Sequence, residues 1–317
     1  MGQQVNLPLP NGYQLQDYTI VKPLSSGGFS MVYLATDANT LPVAIKEYMP
    51  SSLVLRTGGD IIVPENPDYL PTFRYGLKCF FEEGKALAGI SHPNVVRVLN
   101  FFRANETVYM VMSYEQGRTL QKEIQLRQNE PLKESMIRLV FGQLLNGLRE
   151  VHLHKILHLD IKPANIYIRQ DGTPLLLDFG SARQTFTQNN PRLSPMFTPG
   201  FAPPEQYRDR DNLGPWSDIY SVGASIYACM AAHAPQAGDL RMMDDKYMPA
   251  AKLWKGIYSQ DMLEIVDWCL ELDFLNRPQS VLQLQKELLR NDYKVPEPGL
   301  SQRLRKFFSQ DMFARKR

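Results

Sequence analysis

The chain has 317 residues, of which 44% are apolar and 21% are charged, an ordinary composition for a globular protein. Lys and Arg number 35 against 33 Asp and Glu, so the net charge gives no reason to expect nucleic acid as a partner. Three widely separated cysteines argue against a disulfide framework and favour a reducing cytoplasm, and the stretch before Pro10 lacks the features of a secretion signal. No apolar run reaches the ~18 residues that cross a bilayer.

The first part of the chain predicts a strand-rich unit at 17–115, after an irregular arm at 1–16. Turn-forming residues separate its short apolar segments. Residues 48–71 are longer than a simple connection needs and contain a hairpin signal, so they are either a partner surface or a tolerated insertion. The predicted elements are strands at Tyr18–Pro23, Met31–Thr36, Pro42–Glu47, Val95–Arg103 and Thr107–Ser113, a hairpin from Leu53–Arg56 to Ile61–Val63, a Pro-rich loop through Pro71, and a helix from Thr72 to Ile90.

Helical periodicity begins after Gly117 and predicts a helix-rich unit at 116–292, followed by a tail at 293–317. Apolar residues recur at three- and four-residue steps between Ile137 and Val151, which gives one apolar helical stripe. Residues 179–204 carry few periodic apolar residues, which is typical of a long functional loop. The other predicted elements are strands at Ile166–Arg169 and Pro174–Leu177 and helices at 217–233, 260–272 and 279–290.

A loop of small residues between the first two strands is a candidate phosphate cradle. The run Leu24-Ser25-Ser26-Gly27-Gly28-Phe29-Ser30 lets backbone N–H groups approach phosphate oxygens, although such runs are more often ordinary hairpin turns. Lys46 follows on an apolar strand, at an interval that lets it reach the α- and β-phosphates. We prefer Glu83 over Glu82 as the anion that holds Lys46, because Leu87, four residues on, shares the inward face of Glu83.

The strongest chemical signal is His158-Leu159-Asp160-Ile161-Lys162-Pro163-Ala164-Asn165, followed by Leu177-Asp178-Phe179-Gly180. Phosphoryl transfer requires a residue that orients the attacking hydroxyl, cations that spread the charge, and metal ligands. Asp160 can accept or orient the hydroxyl proton, and Lys162 can neutralise the transferred group. Asn165 and Asp178 offer the oxygen ligands that Mg²⁺ prefers, with Mn²⁺ as a substitute. Two such motifs in this order predict a phosphotransferase.

These motifs are similar to those of the eukaryotic-like serine/threonine protein kinases, particularly the bacterial members, over about residues 18–290. The resemblance implies an α+β bilobal fold, with a small antiparallel-sheet N-lobe that has one main helix, a larger mostly helical C-lobe, and ATP in the cleft between them. Lys162 resembles the lysine of the Ser/Thr-directed class, and Thr198 resembles the threonine that contacts Asp160 and Lys162 in that class. The segment that ends at Pro204-Glu205 resembles the peptide platform of protein kinases.

The resemblance also implies which residues contact adenine. Met112 is the expected gatekeeper, and Ser113-Tyr114-Glu115 is the expected hinge, whose backbone groups meet the base. Asp218 is expected to brace the catalytic loop from a buried helix, and Glu205 is expected to pair with Arg277. The residues expected to enclose the base are Leu24, Val32, Ala44 and Tyr167.

Three features depart from the family pattern. Ser25 and Ser30 replace the first and third glycines of the phosphate loop, which restricts its backbone freedom. Leu159 replaces the usual arginine and brings no charge beside the catalytic aspartate, so no phosphate on the activation segment is needed to balance one. Gly84 and Gly89 fall inside the predicted helix of the first unit, at a cost of about 1 kcal/mol each relative to alanine.

The expected function is that of a Mg²⁺-dependent serine/threonine protein kinase in signal transduction, which phosphorylates protein substrates and can autophosphorylate. The alternatives are a pseudokinase scaffold, favoured by the altered phosphate loop, and a kinase of a small metabolite. His152, His154 and His158 do not share a helix face, so a zinc site is set aside. The basic tail at 300–317 has apolar residues at helical steps, and it either docks on a membrane or partner or packs on the kinase itself.

Overall fold

The computed structural model describes residues 6–56, 59–127, 130–179 and 198–290. The chain divides into two compact units. Among the described residues, the first unit contains those up to Ser91 together with Val96–Glu115, and the second contains the rest. No helix in the described ranges is long and apolar enough to cross a membrane. Of the predicted functional loop at 179–204, residues 180–197 lie outside the described residues, as does the predicted tail at 293–317.

An antiparallel sheet forms the first unit. Its strands and the hairpin beside it are β1 (Gln14–Leu15), β2 (Tyr18–Ser26), β3 (Ser30–Thr36), β4 (Pro42–Tyr48), β5 (Val54–Leu55), β6 (Val63–Pro64), β7 (Val98–Ala104) and β8 (Thr107–Ser113). The sheet order is β1-β2-β3-β4-β8-β7, so the two longest hairpins meet through β4 and β8. β5 and β6 pair separately, which confirms the predicted hairpin.

Different parts of the chain cover the two faces of this sheet. Helix α1 (Leu70–Ala88) packs on one face, where Phe81 and Phe101 meet edge to face with their ring centroids 4.7 Å apart. The other face carries Glu47, which is fully buried by Arg56 from the segment after β4. Leu9 from the arm is also fully buried there, and its N–H donates to the hydroxyl of a β3 tyrosine. Leu9 of the arm and Arg56 of the segment at 48–71 are therefore part of the core of this unit.

Three predictions for the first unit were wrong. The strand predicted from Val95 begins only at Val98, because the backbone of Val95 bridges Leu176 instead. Pro71 lies in the first turn of α1, where its missing N–H removes no helical hydrogen bond. Gly89 is the C-cap of α1 and not an interior residue, so its cost as a helix former does not arise.

The second unit is mainly helical. Its elements are β9 (Gly117–Thr119), α2 (Leu120–Leu126), α3 (Glu134–Leu153), β10 (Ile166–Arg169), β11 (Pro174–Leu176), α4 (Pro204–Arg208), α5 (Pro215–Ala231), α6 (Gly238–Arg241), α7 (Ala250–Leu253), α8 (Gln260–Cys269) and α9 (Val281–Leu288). Helix α5 is apolar on nearly all sides and is buried along most of its length, with α3, α8 and α9 packed against it. The core of this unit is therefore centred on α5.

The helix predicted directly after Gly117 begins three residues later. Gly117 starts β9, and a Cβ there would lie 2.1 Å from the carbonyl oxygen of Ile168, so only glycine lets β9 approach β10 this closely. The Thr119 side chain then accepts a hydrogen bond from the N–H of Lys122 at 3.2 Å, which caps α2. The resulting order, β11-β10-β9, adds a strand that periodicity did not indicate.

Candidate active site

Two side chains of the second unit converge on the carboxylate of Asp160. Lys162 Nζ donates to both oxygens of Asp160, each at 3.0 Å, and to Thr198 Oγ1 at 2.6 Å. Thr198 Oγ1 in turn donates to Asp160 Oδ1 at 3.2 Å. Charge-assisted hydrogen bonds of this kind fix the orientation of a carboxylate. Thr198 lies 36 positions after Lys162 and 38 positions after Asp160, so the fold brings it to this loop.

Asn165 is a second fixed group beside this carboxylate. Its Nδ2 donates to the backbone oxygen and to Oδ2 of Asp160, each at 2.9 Å. No described residue donates to Asn165 Oδ1, so that oxygen keeps its acceptor capacity. The N–H of Leu177 donates to the backbone oxygen of Asn165 at 2.9 Å, which brings the following residue, Asp178, to the same loop. An amide oxygen and a carboxylate fit a hard divalent cation such as Mg²⁺.

The His158 side chain connects the loop of Asp160 to the segment of Leu177 through two hydrogen bonds. Its Nδ1 accepts from the N–H of Asp160 at 3.3 Å, so its Nε2 carries the proton and donates to the backbone oxygen of Leu177 at 2.9 Å. Burial lowers the pKa of His158, although Asp218 and Asp160 oppose that shift. A neutral ring is required for this arrangement, because a protonated Nδ1 could not accept the Asp160 N–H.

Asp218 of α5 holds the backbone of the catalytic loop, as the resemblance implies. Its carboxylate accepts from the N–H of His158 at 2.8 Å, the N–H of Leu159 at 2.7 Å and His152 Nε2 at 2.8 Å. Burial alone would raise the pKa of Asp218, but the hydrogen bond from His152, with its electrostatic attraction, and the hydrogen bond from the His158 N–H outweigh it, so the pKa is lowered. Leu159 has a φ of 61°, a left-handed conformation that is unusual for leucine and that these bonds stabilise.

Gln206 of α4 also contacts this loop, and sequence reasoning missed it. Its Nε2 donates to the backbone oxygen of Leu159 at 2.8 Å, and the side chain is buried. Its neighbour Glu205 accepts from Arg277 at 2.7 and 3.0 Å, which confirms the implied pair. The only signal for Gln206 in the sequence is that it directly follows the motif residue Glu205. His152, weighed as a zinc ligand, is instead a partner of Asp218, and the described residues hold no cluster of three or more metal-ligating side chains.

Lys46 and Glu83 both lie in the first unit and both are buried. Lys46 on β4 is 4% exposed, and its Nζ lies 5.5 Å from the ring centroid of Phe80 on α1. Glu83 is one turn further along α1 and 8% exposed, whereas Glu82 is exposed. Since Lys46 approaches the helical face that Phe80 and Glu83 share, the structure favours Glu83 over Glu82.

The residues expected around adenine are divided between the two units, and their contact with the base stays a prediction. Ala44 lies directly opposite the buried Met112 in the β4–β8 pair, so their side chains share one face of the sheet. The Ser113 N–H donates to the backbone oxygen of Arg97 at 3.0 Å, and Ser113-Tyr114-Glu115 remain the predicted hinge. The other expected residues are Leu24 and Val32 on the β2–β3 hairpin and Tyr167 on β10 of the second unit.

Comparison with known proteins gives one consistent family. A family model of the protein kinase domain matches residues 18–293. Serine/threonine-protein kinase PknA of Nostoc sp. is 31% identical over 231 residues, which cover 69% of this chain and 38% of PknA. Serine/threonine-protein kinase PknL of Mycobacterium tuberculosis is 31% identical over 234 residues, 73% of this chain and 53% of PknL. The chain thus spans about half the length, or less, of these curated relatives.

Solved structures agree with this assignment. PpkA-294 in its apo form superposes with a TM-score of 0.81 at 36% identity, covering 89% of this chain and 99% of that chain. The kinase domain of Mycobacterium tuberculosis PknI superposes with a TM-score of 0.68, covering 90% of this chain and 99% of that chain, and at 17% identity it supports the fold alone. The chain therefore belongs to the protein kinase family, and its relatives are serine/threonine protein kinases.

Proposed function

We propose that this chain transfers the γ-phosphoryl group of ATP to serine or threonine hydroxyls of proteins in a Mg²⁺-dependent reaction. The arrangement of Asp160, Lys162 and Thr198 carries the proposal, because it combines a positioned carboxylate with a cation and a threonine hydroxyl. Phosphoryl transfer depends almost entirely on such positioning and on electrostatic stabilisation. The family assignment and the names of the relatives support the same reaction class.

The hydrogen bonds around Asp160 suggest how a substrate hydroxyl gains access. A carboxylate has about four acceptor positions, and Lys162, Thr198 and Asn165 together supply four donor contacts to them. The Lys162 ammonium spans both oxygens and is the one mobile cation of the set. When a γ-phosphoryl group is present, Lys162 exchanges one of these contacts for a phosphoryl oxygen and vacates an acceptor for the substrate hydroxyl. Asp160 then orients the hydroxyl and receives its proton.

The remaining residues bind and orient ATP. Lys46 supplies a buried cation for the α- and β-phosphates, and Glu83 is its proposed anion. Asn165 and Asp178 would hold Mg²⁺, which neutralises charge on the phosphate oxygens when it is bound. Backbone groups at 113–115 bind adenine. A cytoplasmic location and docking through 300–317 stay predictions from sequence, and sedimentation of the full chain and a 1–295 truncation with anionic vesicles tests the docking.

One experiment separates the proposed activity from its alternatives. The purified protein is incubated with γ-labelled ATP, Mg²⁺, a generic basic protein and a mixture of small metabolites. Label on Ser or Thr of protein supports the proposal, label on a small molecule alone supports a metabolite kinase, and no label supports a pseudokinase. Lys162→Met should reduce transfer by about 10²-fold or more, whereas the exposed Lys122→Met on α2 should not change it.

A further inference from the structure

The phosphate loop is hydrogen-bonded to the segment that follows β4. The Met49 N–H donates to the backbone oxygen of Phe29 at 2.7 Å. Ser51 donates twice to the backbone oxygen of Gly28, through its N–H at 2.9 Å and through its Oγ at 3.2 Å. These contacts continue the β3–β4 pairing beyond its last pair, Ser30 opposite Tyr48, to the tip of the loop.

The tip of the loop lies beyond the last β2–β3 pair, Ser26 opposite Met31. Residues 24–28 are exposed, and a Cβ built on Gly28 would meet nothing within 4 Å. The Gly27 N–H donates to the Ser30 oxygen at 2.9 Å and closes the turn. The contacts from Met49 and Ser51 therefore decide where the tip lies relative to the sheet.

The other end of the segment is firmly anchored. The N–H groups of Leu53 and Val54 both donate to the oxygen of Pro50, and both side chains are buried. Arg56 is fully buried against Glu47 of β4. Ser51 thus stands on a turn whose base belongs to the core of the first unit.

The arm adds a further anchor to this base. Asn6 Nδ2 donates to the oxygen of Val54 at 3.1 Å, and Asn6 Oδ1 accepts from the N–H of Arg56 at 2.9 Å. The Leu7 N–H also donates to the backbone oxygen of Arg56 at 3.4 Å, and Arg56 Nη1 donates to the backbone oxygen of Leu7 at 3.3 Å. The segment is consequently held at both sides, by the sheet and by the arm, while its exposed turn holds the loop.

We propose that residues 49–56 act as a tether that preorganises the phosphate loop for the phosphates of ATP, with Ser51 as its main positioning residue. The inference rests on the proposed function, because it takes residues 24–30 as the phosphate-binding loop. A loop that is already placed loses less conformational freedom when a ligand binds, so the tether strengthens nucleotide binding. Ser25 and Ser30 act in the same direction, since they restrict the backbone freedom of the loop relative to glycine.

The test compares two ligands that differ in their phosphates. Dissociation constants for adenosine and for a non-hydrolysable ATP analogue with Mg²⁺ are measured on wild type, Ser51→Ala, Ser51→Pro and Ser52→Ala. Ser51→Ala removes the Oγ contact, and Ser51→Pro removes the N–H contact as well. Ser52 is the matched control, because it is the next exposed residue of the same turn and its hydroxyl bonds no described residue.

We expect the ATP analogue to bind about threefold more weakly to Ser51→Ala and about tenfold more weakly to Ser51→Pro, as one and two lost hydrogen bonds imply. Adenosine binding should stay unchanged in both, and Ser52→Ala should match wild type for both ligands. Hydrogen–deuterium exchange of the peptide over 27–30 should become faster in both Ser51 variants, so that Ser51→Ala decides the matter if Ser51→Pro does not fold.

A failure of the phosphate-loop assignment and a failure of the tether give different results in this experiment. If wild type binds the ATP analogue no more tightly than adenosine, the assignment of the phosphate loop is wrong and the tether falls with it. If wild type discriminates but the Ser51 variants bind the analogue as well as wild type or better, the tether alone is overturned. Equal weakening of adenosine and the analogue would also overturn it, since that result indicates a general loss of structure.

Discussion

Replacing Arg56 by methionine should destabilise the first unit by about 3–5 kcal/mol, because it leaves the carboxylate of Glu47 buried without a cation. Both side chains of the pair are 0% exposed. After the substitution only the hydroxyls of Tyr33 and Tyr109 still donate to that carboxylate. Arg56 also donates to the backbone oxygen of Asp60 at 3.1 Å, and that contact is lost too. The loss is a large share of the 5–15 kcal/mol that a typical domain has available.

The unfolding assay must report on the first unit, which contains Arg56. All three tryptophans, Trp216, Trp254 and Trp268, belong to the second unit, so tryptophan fluorescence does not follow the first. Urea unfolding by far-UV circular dichroism, with hydrogen exchange of peptides over β3, β4 and β8, reports on it directly. The double variant Glu47→Leu/Arg56→Met should recover most of the loss, because no buried charge remains.

An exposed ion pair provides the control. Lys246 and Asp244 are 76% and 70% exposed, so Lys246→Met should change the free energy of unfolding by less than about 1 kcal/mol. A loss of less than 1 kcal/mol for Arg56→Met would refute the argument. It would show that the segment after β4 contributes no more than a surface loop.

Two further predictions concern pH and the helix of the first unit. The lowered pKa of His158 means that the unfolded chain takes up its proton first, so stability should fall as pH drops below about 6.5, and His158→Gln should remove this part of the profile. The lowered pKa of Asp218 causes a second loss of stability, in wild type and in His158→Gln alike, as pH falls below about 4 through the folded-state pKa. A wild-type stability that stays constant between pH 7 and 4.5 would contradict the prediction for His158. Gly84→Ala should stabilise the first unit by about 0.5 kcal/mol in urea unfolding, because the helix gains about 1 kcal/mol while the new Cβ, 3.1 Å from Met110 Cε, displaces only a flexible side-chain end. A loss above 1 kcal/mol would show that Met110 cannot move.

The motifs predicted the fold because their spacing is specific, and the pairs Glu205–Arg277 and Asp160–Thr198 followed from the same resemblance. Periodicity located the long helices well, because α3 has one apolar face over many turns and α5 is buried along most of its length. It failed where one backbone contact decides the structure. At Gly117, close approach to a neighbouring strand outweighs the helical pattern that follows.

The role of the segment at 48–71 could not be predicted for a similar reason. Arg56 looks like a surface residue in sequence. Its burial depends on Glu47, nine positions before it, and on Tyr109, which lies 62 positions after Glu47 and bonds the same carboxylate. Ser51 contacts Gly28 through its backbone N–H and a single hydroxyl, and neither leaves a periodic pattern in the sequence. Gln206 was missed because a single amide beside a motif has no periodicity to reveal it.

The most direct test of the account is to measure ATP binding and phosphoryl transfer on Asp160→Asn and wild type in parallel. Asp160 orients and deprotonates the substrate hydroxyl in this account, so transfer to Ser or Thr of an added protein should fall by about 10²–10⁴-fold. Binding of the ATP analogue with Mg²⁺ should change by less than about threefold, because Lys46, Asn165 and Asp178 remain. Transfer within tenfold of wild type by the purified variant, with its substitution verified by mass spectrometry, would contradict the assigned role of Asp160 and with it the proposed mechanism.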